Sequence, residues 1–74
     1  MSPYANRSGN SGVSAFEISA TSITVQFRNG GKYVYNYDMP GRVDVEEMKR
    51  LALLGAGLTT YINKNVGKRF ATKI

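Results

Sequence analysis

Residues 23–37 read ITVQFRNGGKYVYNY, a pattern that predicts a β-hairpin. Apolar and polar residues alternate on both sides of a turn signal, as expected for two half-buried strands. The Asn-Gly-Gly sequence at 29–31 is expected to form a three-residue loop, with Gly31 in the conformation of positive φ. A two-residue Asn-Gly loop would shift the register by one residue and split the apolar residues between two faces.

The three-residue loop predicts which residues lie opposite each other. One face then carries every apolar residue of the hairpin except Val34, and the other face is polar and basic. The predicted pairs are Arg28 with Lys32, Phe27 with Tyr33, Val25 with Tyr35, and Ile23 with Tyr37. The three tyrosines are therefore expected to face the helices and to pack in the core, with their hydroxyl groups at its edge. An incompletely covered sheet would instead leave the outermost tyrosine to line a pocket or a subunit interface.

A strand is predicted ahead of the hairpin and a helix after it. Val13–Ser19 is rich in β-branched and aromatic residues, which favour strands. The helix is expected to begin at an Asp44 N-cap and to end at about Leu54, before the Gly-Ala-Gly sequence at 55–57. Its expected buried stripe comprises Val45, Met48, Leu51 and Ala52.

A second, short helix is predicted over 60–66, with Thr59 as its N-cap and Gly67 as its C-terminal glycine. Its expected inner face comprises Leu58, Ile62 and Val66. The predicted fold class is therefore α+β, a three-stranded antiparallel β-meander followed by two short helices.

Length and composition predict one small domain with an N-terminal arm. Residues 1–12 of the 74-residue chain contain almost nothing to bury and are expected to be disordered, whereas residues 13–74 form the domain. The arm lacks the apolar run of a signal peptide, and no stretch approaches the ~20 apolar residues of a membrane span. We therefore expect a cytoplasmic protein without a membrane partner.

The chain has no cysteine and no histidine. Disulfides and Cys/His zinc sites are excluded, so homo-oligomerisation is the remaining common source of extra stability for so small a domain. Without histidine or cysteine, no residue can activate a serine as in a hydrolytic triad. We therefore expect no enzymatic activity, no bound metal and no cofactor.

The net charge of +5 favours anionic partners. The densest basic cluster comprises Lys64, Lys68, Arg69 and Lys73, with Tyr61 and Phe70 interleaved. Cations neutralise phosphates and an aromatic ring stacks a base, although a solvated helix face and tail explain the same residues. On the hairpin, the like charges of Arg28 and Lys32 would be stabilised by an anion between them. The candidate ligand-binding residues are Arg28, Lys32, Tyr61, Lys64, Asn65, Lys68 and Arg69.

The glycine-rich sequence at 55–57 has two interpretations. It precedes Thr59 and Thr60, so the free N–H groups of a helix N-terminus could bind a phosphate there. A flexible connector followed by a threonine cap explains the same residues without a ligand, and we favour that interpretation.

Two groups of residues follow a family pattern. The hairpin reads F-x-N-G-G-x-Y-x-Y, and a Leu- and Ala-rich helix follows it. The second group comprises Gly57, Tyr61, Asn63, Asn65, Arg69 and Phe70. Over residues 13–74 the chain thereby resembles the KTSC domain, which is named for its occurrence at the C-terminus of some lysyl-tRNA synthetases. The resemblance implies an α+β fold. Family members also occur as stand-alone bacterial and phage proteins, so it further implies that the protein acts in a bacterium or a phage-infected host cell.

Three functions are compatible with these observations. The first is non-enzymatic binding of phosphate-bearing small ligands, most concretely nucleotides, by a small basic homo-oligomer, and phage relatives would make it a protein that sequesters a nucleotide signal of host defence. The second is an RNA- or DNA-binding module, as attachment to a tRNA synthetase would suggest. The third is a protein-interaction domain that uses the apolar surface around Leu53 and Leu54. We favour the first, because oligomer interfaces commonly hold small-ligand pockets.

Overall fold

The computed structural model describes residues 1–7, 9 and 11–74. Within these residues, one antiparallel sheet has five strands in the order β1-β2-β3-β4-β5. The strands are β1 (Ser2–Pro3), β2 (Val13–Ser19), β3 (Ser22–Phe27), β4 (Lys32–Asn36) and β5 (Thr72–Lys73). Two helical segments lie between β4 and β5, namely α1 (Arg42–Leu54) and α2 (Leu58–Tyr61), and α2 continues as a π-helical turn (Ile62–Val66). The α+β class is confirmed, and the predicted meander is the centre of a wider sheet.

The β3–β4 hairpin has a three-residue loop, but its register is shifted by two residues from the predicted one. The loop consists of residues 28–30, because the Phe27 N–H donates to the Gly31 oxygen at 2.8 Å and the Gly30 N–H donates to the Phe27 oxygen at 2.9 Å. Gly30, and not Gly31, has the positive φ, 96°. The observed pairs are Gln26 with Lys32, Val25 with Tyr33, Thr24 with Val34, and Ile23 with Tyr35. The predicted pairs are thus wrong, yet the faces are correct, because a shift of two residues keeps every side chain on its own face.

Helix α1 begins two residues before the predicted Asp44 cap. Gly41 is the N-cap, and its carbonyl accepts the first helical hydrogen bond from the Val45 N–H at 3.0 Å. Asp44 therefore lies inside the first turn and makes no capping hydrogen bond with its side chain. The predicted end at Leu54 is confirmed, with Gly55 in the left-handed conformation at φ 80°.

The second helical segment also begins earlier than predicted. Its N-cap is Gly57 at φ 83°, and the predicted cap Thr59 is already inside the helix. The last turn widens into a π-helix, closed by a 2.6 Å hydrogen bond from the Gly67 N–H to the Ile62 oxygen. Gly67 ends the segment, as predicted, at φ 58°.

The core lies between the sheet and the inner faces of the helices. Both predicted helical faces are confirmed as buried. The buried residues are Tyr4, Val13, Phe16, Ile23, Val25, Tyr35, Val45, Met48, Leu51, Ala52, Leu58, Ile62 and Val66. Exposed apolar side chains include Leu53 and Leu54, next to this core on α1.

The N-terminal residues differ from the predicted disordered arm. Ser2 and Pro3 pair with Phe16 and Ala15 of β2, and Tyr4 is only 7% exposed. The reason is local: Tyr4 is the one aromatic side chain of this polar segment, and its ring fills a place in the core. Ser8 and Asn10, which the prediction also covered, lie outside the described residues. No helix in the described part of the chain is long and apolar enough to cross a membrane.

Candidate functional site

An open cleft of about 440 Å³ lies between the hairpin, the π-helical turn and the C-terminal segment. We call it the aromatic cleft. Its apolar lining residues are Phe27, Tyr33, Tyr35, Ile62 and Phe70. Its polar lining residues are Asn29, Asn63, Lys68 and Lys73. Aromatic residues and two lysines therefore line the same space.

The ring of Tyr33 is at the centre of this lining. It makes edge-to-face contacts with Phe27, at 5.6 Å between ring centroids and 76°, and with Phe70, at 4.7 Å and 64°. Lys73 lies directly opposite Tyr33 in the β4–β5 ladder, and its Nζ is 5.6 Å from the centroid of the Tyr33 ring. The cation and the ring thus already attract each other, and both are at the surface that a ligand would contact.

Two asparagines reach the cleft from different elements. Asn29 belongs to the hairpin loop, where its side-chain oxygen accepts the Gly31 N–H at 3.0 Å. Its amide nitrogen is therefore the atom that can donate to a ligand. Asn63 belongs to the π-helical turn, and such turns are frequent at functional sites because they re-aim side chains relative to an α-helix.

The C-terminal segment brings both lysines to the cleft. Lys68 follows Gly67, whose backbone turns the chain away from the π-helical turn. The segment then runs back along β4, where the Ala71 N–H donates to the Val34 oxygen at 2.8 Å. Lys73 follows on β5, so two cations come to one site from a segment that is short in sequence.

Three of the predicted ligand-binding residues form a separate cluster around Asp44. The Tyr61 hydroxyl donates to the Asp44 carboxylate at 2.6 Å, and the Arg69 guanidinium donates to the other carboxylate oxygen at 3.2 Å. Arg69 also donates to the backbone oxygen of Asn65. The hydrogen bond to Asp44, aided by partial burial, raises the pKa of Tyr61 to about 12. The Tyr61 hydroxyl and one nitrogen of the Arg69 guanidinium are therefore already engaged within the protein.

The other predicted residues are dispersed. Lys68 lines the aromatic cleft. Lys64 is exposed on the π-helical turn and is not among the residues that line the cleft. Arg28 lies in the hairpin loop, and Lys32 is opposite Gln26, so the predicted anion site between these two cations is not formed by cross-strand pairing. Residues that form one basic cluster in the sequence thus lie in different parts of the structure.

The other two tyrosines of the hairpin sequence, Tyr35 and Tyr37, have structural roles. Tyr35 is 2% exposed, and burial raises its pKa to about 12, so its predicted place in the core is confirmed. The Tyr37 hydroxyl donates to Glu46 at 2.7 Å, and this bond raises the pKa of Tyr37. Lys49 pairs with the same carboxylate at 2.9 Å. Tyr37 therefore connects the end of the sheet to α1, and it is not available as a ligand-binding ring.

The glycine-rich connector supports the interpretation without a ligand. The Leu58 N–H, at the start of α2, donates to the buried hydroxyl of Tyr4 at 3.2 Å. The Thr59 hydroxyl lies 2.5 Å from the Ser11 hydroxyl. Polar groups at this helix start are thus occupied by the N-terminal segment.

Sequence reasoning missed most of the cleft. It singled out Lys73 as part of a basic cluster, but it did not include Phe27, Asn29, Tyr33 or Asn63 among the site residues. The available signal was the family pattern, which contains all four of them. Comparison with family models gave no match, and comparisons with curated proteins and with solved structures gave none either. The resemblance to the KTSC domain therefore stays a prediction.

Proposed function

We propose that this protein binds nucleotides or related phosphate-bearing small ligands without chemically changing them, and that the aromatic cleft is the binding site. One observation carries the proposal: the Tyr33 ring, flanked by Phe27 and Phe70, shares its cleft with the ammonium groups of Lys68 and Lys73. An aromatic side chain stacks a base, and ammonium groups form charge-assisted hydrogen bonds with phosphate oxygens.

Size and charge support the same proposal. The volume of about 440 Å³ lies within the range of roughly 300–1,000 Å³ that is usual for small-molecule sites. The net charge of +5 raises the local concentration of anions around the protein. A cytoplasmic binder of this kind would act by withholding its ligand, and the phage relatives implied by the KTSC resemblance suggest a nucleotide signal of host defence as that ligand.

We further propose that the protein assembles into a homo-oligomer. A shallow groove lined by Met1, Phe16, Ile18 and Leu53 supports this, because the Leu53 side chain in this lining is 72% exposed. Light scattering after size-exclusion chromatography should give a multiple of the 8.1 kDa chain mass. Leu53→Ser should lower that mass, whereas Lys64→Ser, an exposed change outside the groove, should not. A monomeric parent protein would contradict this part of the proposal.

The test of the cleft is calorimetric titration with the four ribonucleoside monophosphates. Lys68→Gln and Lys73→Gln should each weaken binding about tenfold, because a hydrogen bond to a charged group contributes roughly 1.5 kcal/mol. Lys64→Gln removes the same charge outside the cleft and is the matched control. An equal loss in all three variants would indicate a diffuse charge effect and would argue against the cleft.

The same titration separates the nucleic-acid alternative. A short single-stranded RNA is titrated in parallel at increasing salt. Tight RNA binding that falls steeply with salt, combined with no mononucleotide binding, would favour a module that follows a polynucleotide backbone. Mononucleotide binding that persists at moderate salt would favour the cleft.

A further inference from the structure

Among the described residues, the side chains that line the aromatic cleft include no carboxylate. Lys68 and Lys73 supply ammonium groups, which only donate hydrogen bonds, and Asn29 and Asn63 supply neutral amides. Asn29 has its oxygen engaged by the Gly31 N–H, so it too can act toward a ligand as a donor. The cleft thus offers positive charge and hydrogen-bond donors, and the amide oxygen of Asn63 is a neutral acceptor.

None of the five acidic side chains, Asp38 included, is among the residues that line the aromatic cleft. On α1, the ion pairs are Asp44 with Arg69 at 3.2 Å, Glu46 with Lys49 at 2.9 Å, and Glu47 with Arg50 at 2.6 Å. Glu17 lines the groove beside Met1, on another part of the surface. The three acids of α1 are therefore paired with cations, and the charged side chains that line the cleft are its two lysines.

This arrangement has a consequence for divalent cations. Mg²⁺ is held in nucleotide sites through one or two carboxylates together with the phosphate oxygens. In the aromatic cleft, the groups that meet a phosphate are ammoniums, which repel a cation and compete with it for the same oxygens. A phosphate here is neutralised by lysine, and a magnesium ion on that phosphate reduces the attraction.

We infer that the aromatic cleft takes its nucleotide free of divalent metal, with Lys68 and Lys73 as the counter-ions of the phosphate. This inference rests on the proposed function and names the chemical form of the ligand. Two lysines match the charge of a phosphate monoester, about −1.5 to −2 at neutral pH. A nucleoside monophosphate satisfies the cleft without a metal, and a magnesium-bound triphosphate does so less well than the same triphosphate alone.

The test compares calorimetric titrations of the full chain in EDTA and in excess Mg²⁺. The probes are the four ribonucleoside monophosphates and the four triphosphates. Monophosphate affinity should be the same in both buffers. Triphosphate affinity should be roughly tenfold lower with Mg²⁺, the ratio that corresponds to loss of one charge-assisted hydrogen bond.

The variants separate the inference from the function beneath it. In a Lys68→Gln/Lys73→Gln double variant, shown to be folded by its melting curve, the effect of Mg²⁺ on triphosphate affinity should disappear. A triphosphate that binds equally well in both buffers, or more tightly with Mg²⁺, overturns the inference and leaves nucleotide binding intact. Failure of every nucleotide to bind in both buffers overturns the proposed function, and the inference with it.

Discussion

The hydroxyl of Tyr61 donates a 2.6 Å hydrogen bond to the carboxylate of Asp44 and so joins the second helical segment to the first turn of α1. Both groups are partly buried, and Arg69 pairs with the remaining carboxylate oxygen. The three side chains thus form a small network in which the carboxylate is the common acceptor. This network explains why Tyr61, an aromatic residue within the basic cluster, has a structural role.

Tyr61→Phe should lower the free energy of unfolding by about 1–2 kcal/mol, because a hydrogen bond to a charged group is lost while the ring is kept. Urea denaturation followed by circular dichroism measures this change. Nucleotide affinity should be unaffected, because the hydroxyl is outside the aromatic cleft. A variant of unchanged stability that no longer binds nucleotides would show that Tyr61 belongs to the site after all.

Stability should fall at high pH. The pKa values of Tyr35 and Tyr61 are raised from an ordinary 10.0 to about 12, so the folded state favours the protonated phenols. The stability that follows from these shifts is complete below the unfolded pKa and is lost as pH rises through the folded values. Urea midpoints should therefore decline from about pH 10 to pH 12, and Tyr61→Phe should show a smaller decline than the parent protein.

A separate loss of stability is expected in acid. Hydrogen bonds from Lys49 and Arg50 lower the pKa values of Glu46 and Glu47 below 4.5. The folded state thus favours the charged carboxylates, and the associated stability is lost as pH falls through the folded values. Glu46 is exposed and Glu47 is partly exposed, so the loss should be small and should diminish at high salt. Midpoints that rise below pH 4.5 would contradict these ion pairs.

Replacement of the central ring of the cleft should weaken nucleotide binding. Tyr33→Leu keeps an apolar side chain but removes the stacking surface, which contributes roughly 1–3 kcal/mol per base in other proteins. Affinity measured by calorimetry should fall about tenfold or more. Tyr33→Phe keeps the ring and is the matched control. If both variants lose affinity equally, the hydroxyl rather than the ring carries the contact.

The N-terminal segment should contribute measurably to stability. Tyr4→Phe leaves the buried Leu58 N–H without its acceptor, at a cost of about 1–3 kcal/mol, and Tyr4→Ala adds a cavity for a total of about 3–5 kcal/mol. Urea denaturation measures both variants. Unchanged midpoints in both would mean that the segment is detached in solution, as its composition predicts.

Substitution of Gly55, in the connector between the two helical segments, tests the packing of the N-terminal segment against that connector. A Cβ on Gly55 would lie 2.5 Å from the Ala5 Cβ, whereas a Cβ on Gly30 would meet nothing within 4 Å. Both glycines have positive φ, so Gly55→Ala and Gly30→Ala share a backbone cost of about 1 kcal/mol. Only Gly55→Ala should carry a further clash, of about 1 kcal/mol or more. Ala5→Gly in the Gly55→Ala background should recover part of that loss, and no recovery would contradict the contact.

The hairpin shows what the alternation of apolar and polar residues predicts and what it does not. The pattern of residues 23–37 correctly predicts the faces, because side-chain direction depends only on odd or even position. It does not distinguish Gly30 from Gly31 as the residue of positive φ, since either glycine adopts that conformation at no steric cost. The register follows from that choice, so it was wrong by two residues while the core face was right.

The candidate site was harder to predict, for two physical reasons. Arg69 and Tyr61 are near Lys68 in sequence, but both bind Asp44, which is distant in the chain and looked like a helix cap. The π-helical turn and the two-residue strand β5 depend on tertiary contacts, and neither has a periodicity long enough to detect. Charge density along the chain therefore pointed to Lys68, Phe70 and Lys73, but not to the residues of the hairpin and the π-helical turn that complete the cleft.

The ion pairs of α1 have a consequence for the approach of a ligand. Three of the five acids are matched on this helix with cations, so the unmatched positive charge lies mainly on the hairpin loop, the π-helical turn and the C-terminal segment. Two of these unmatched cations, Lys68 and Lys73, line the aromatic cleft. Their charge attracts an anion toward the cleft before contact. Added salt should therefore slow the encounter itself, while the lifetime of the complex, once formed, changes much less.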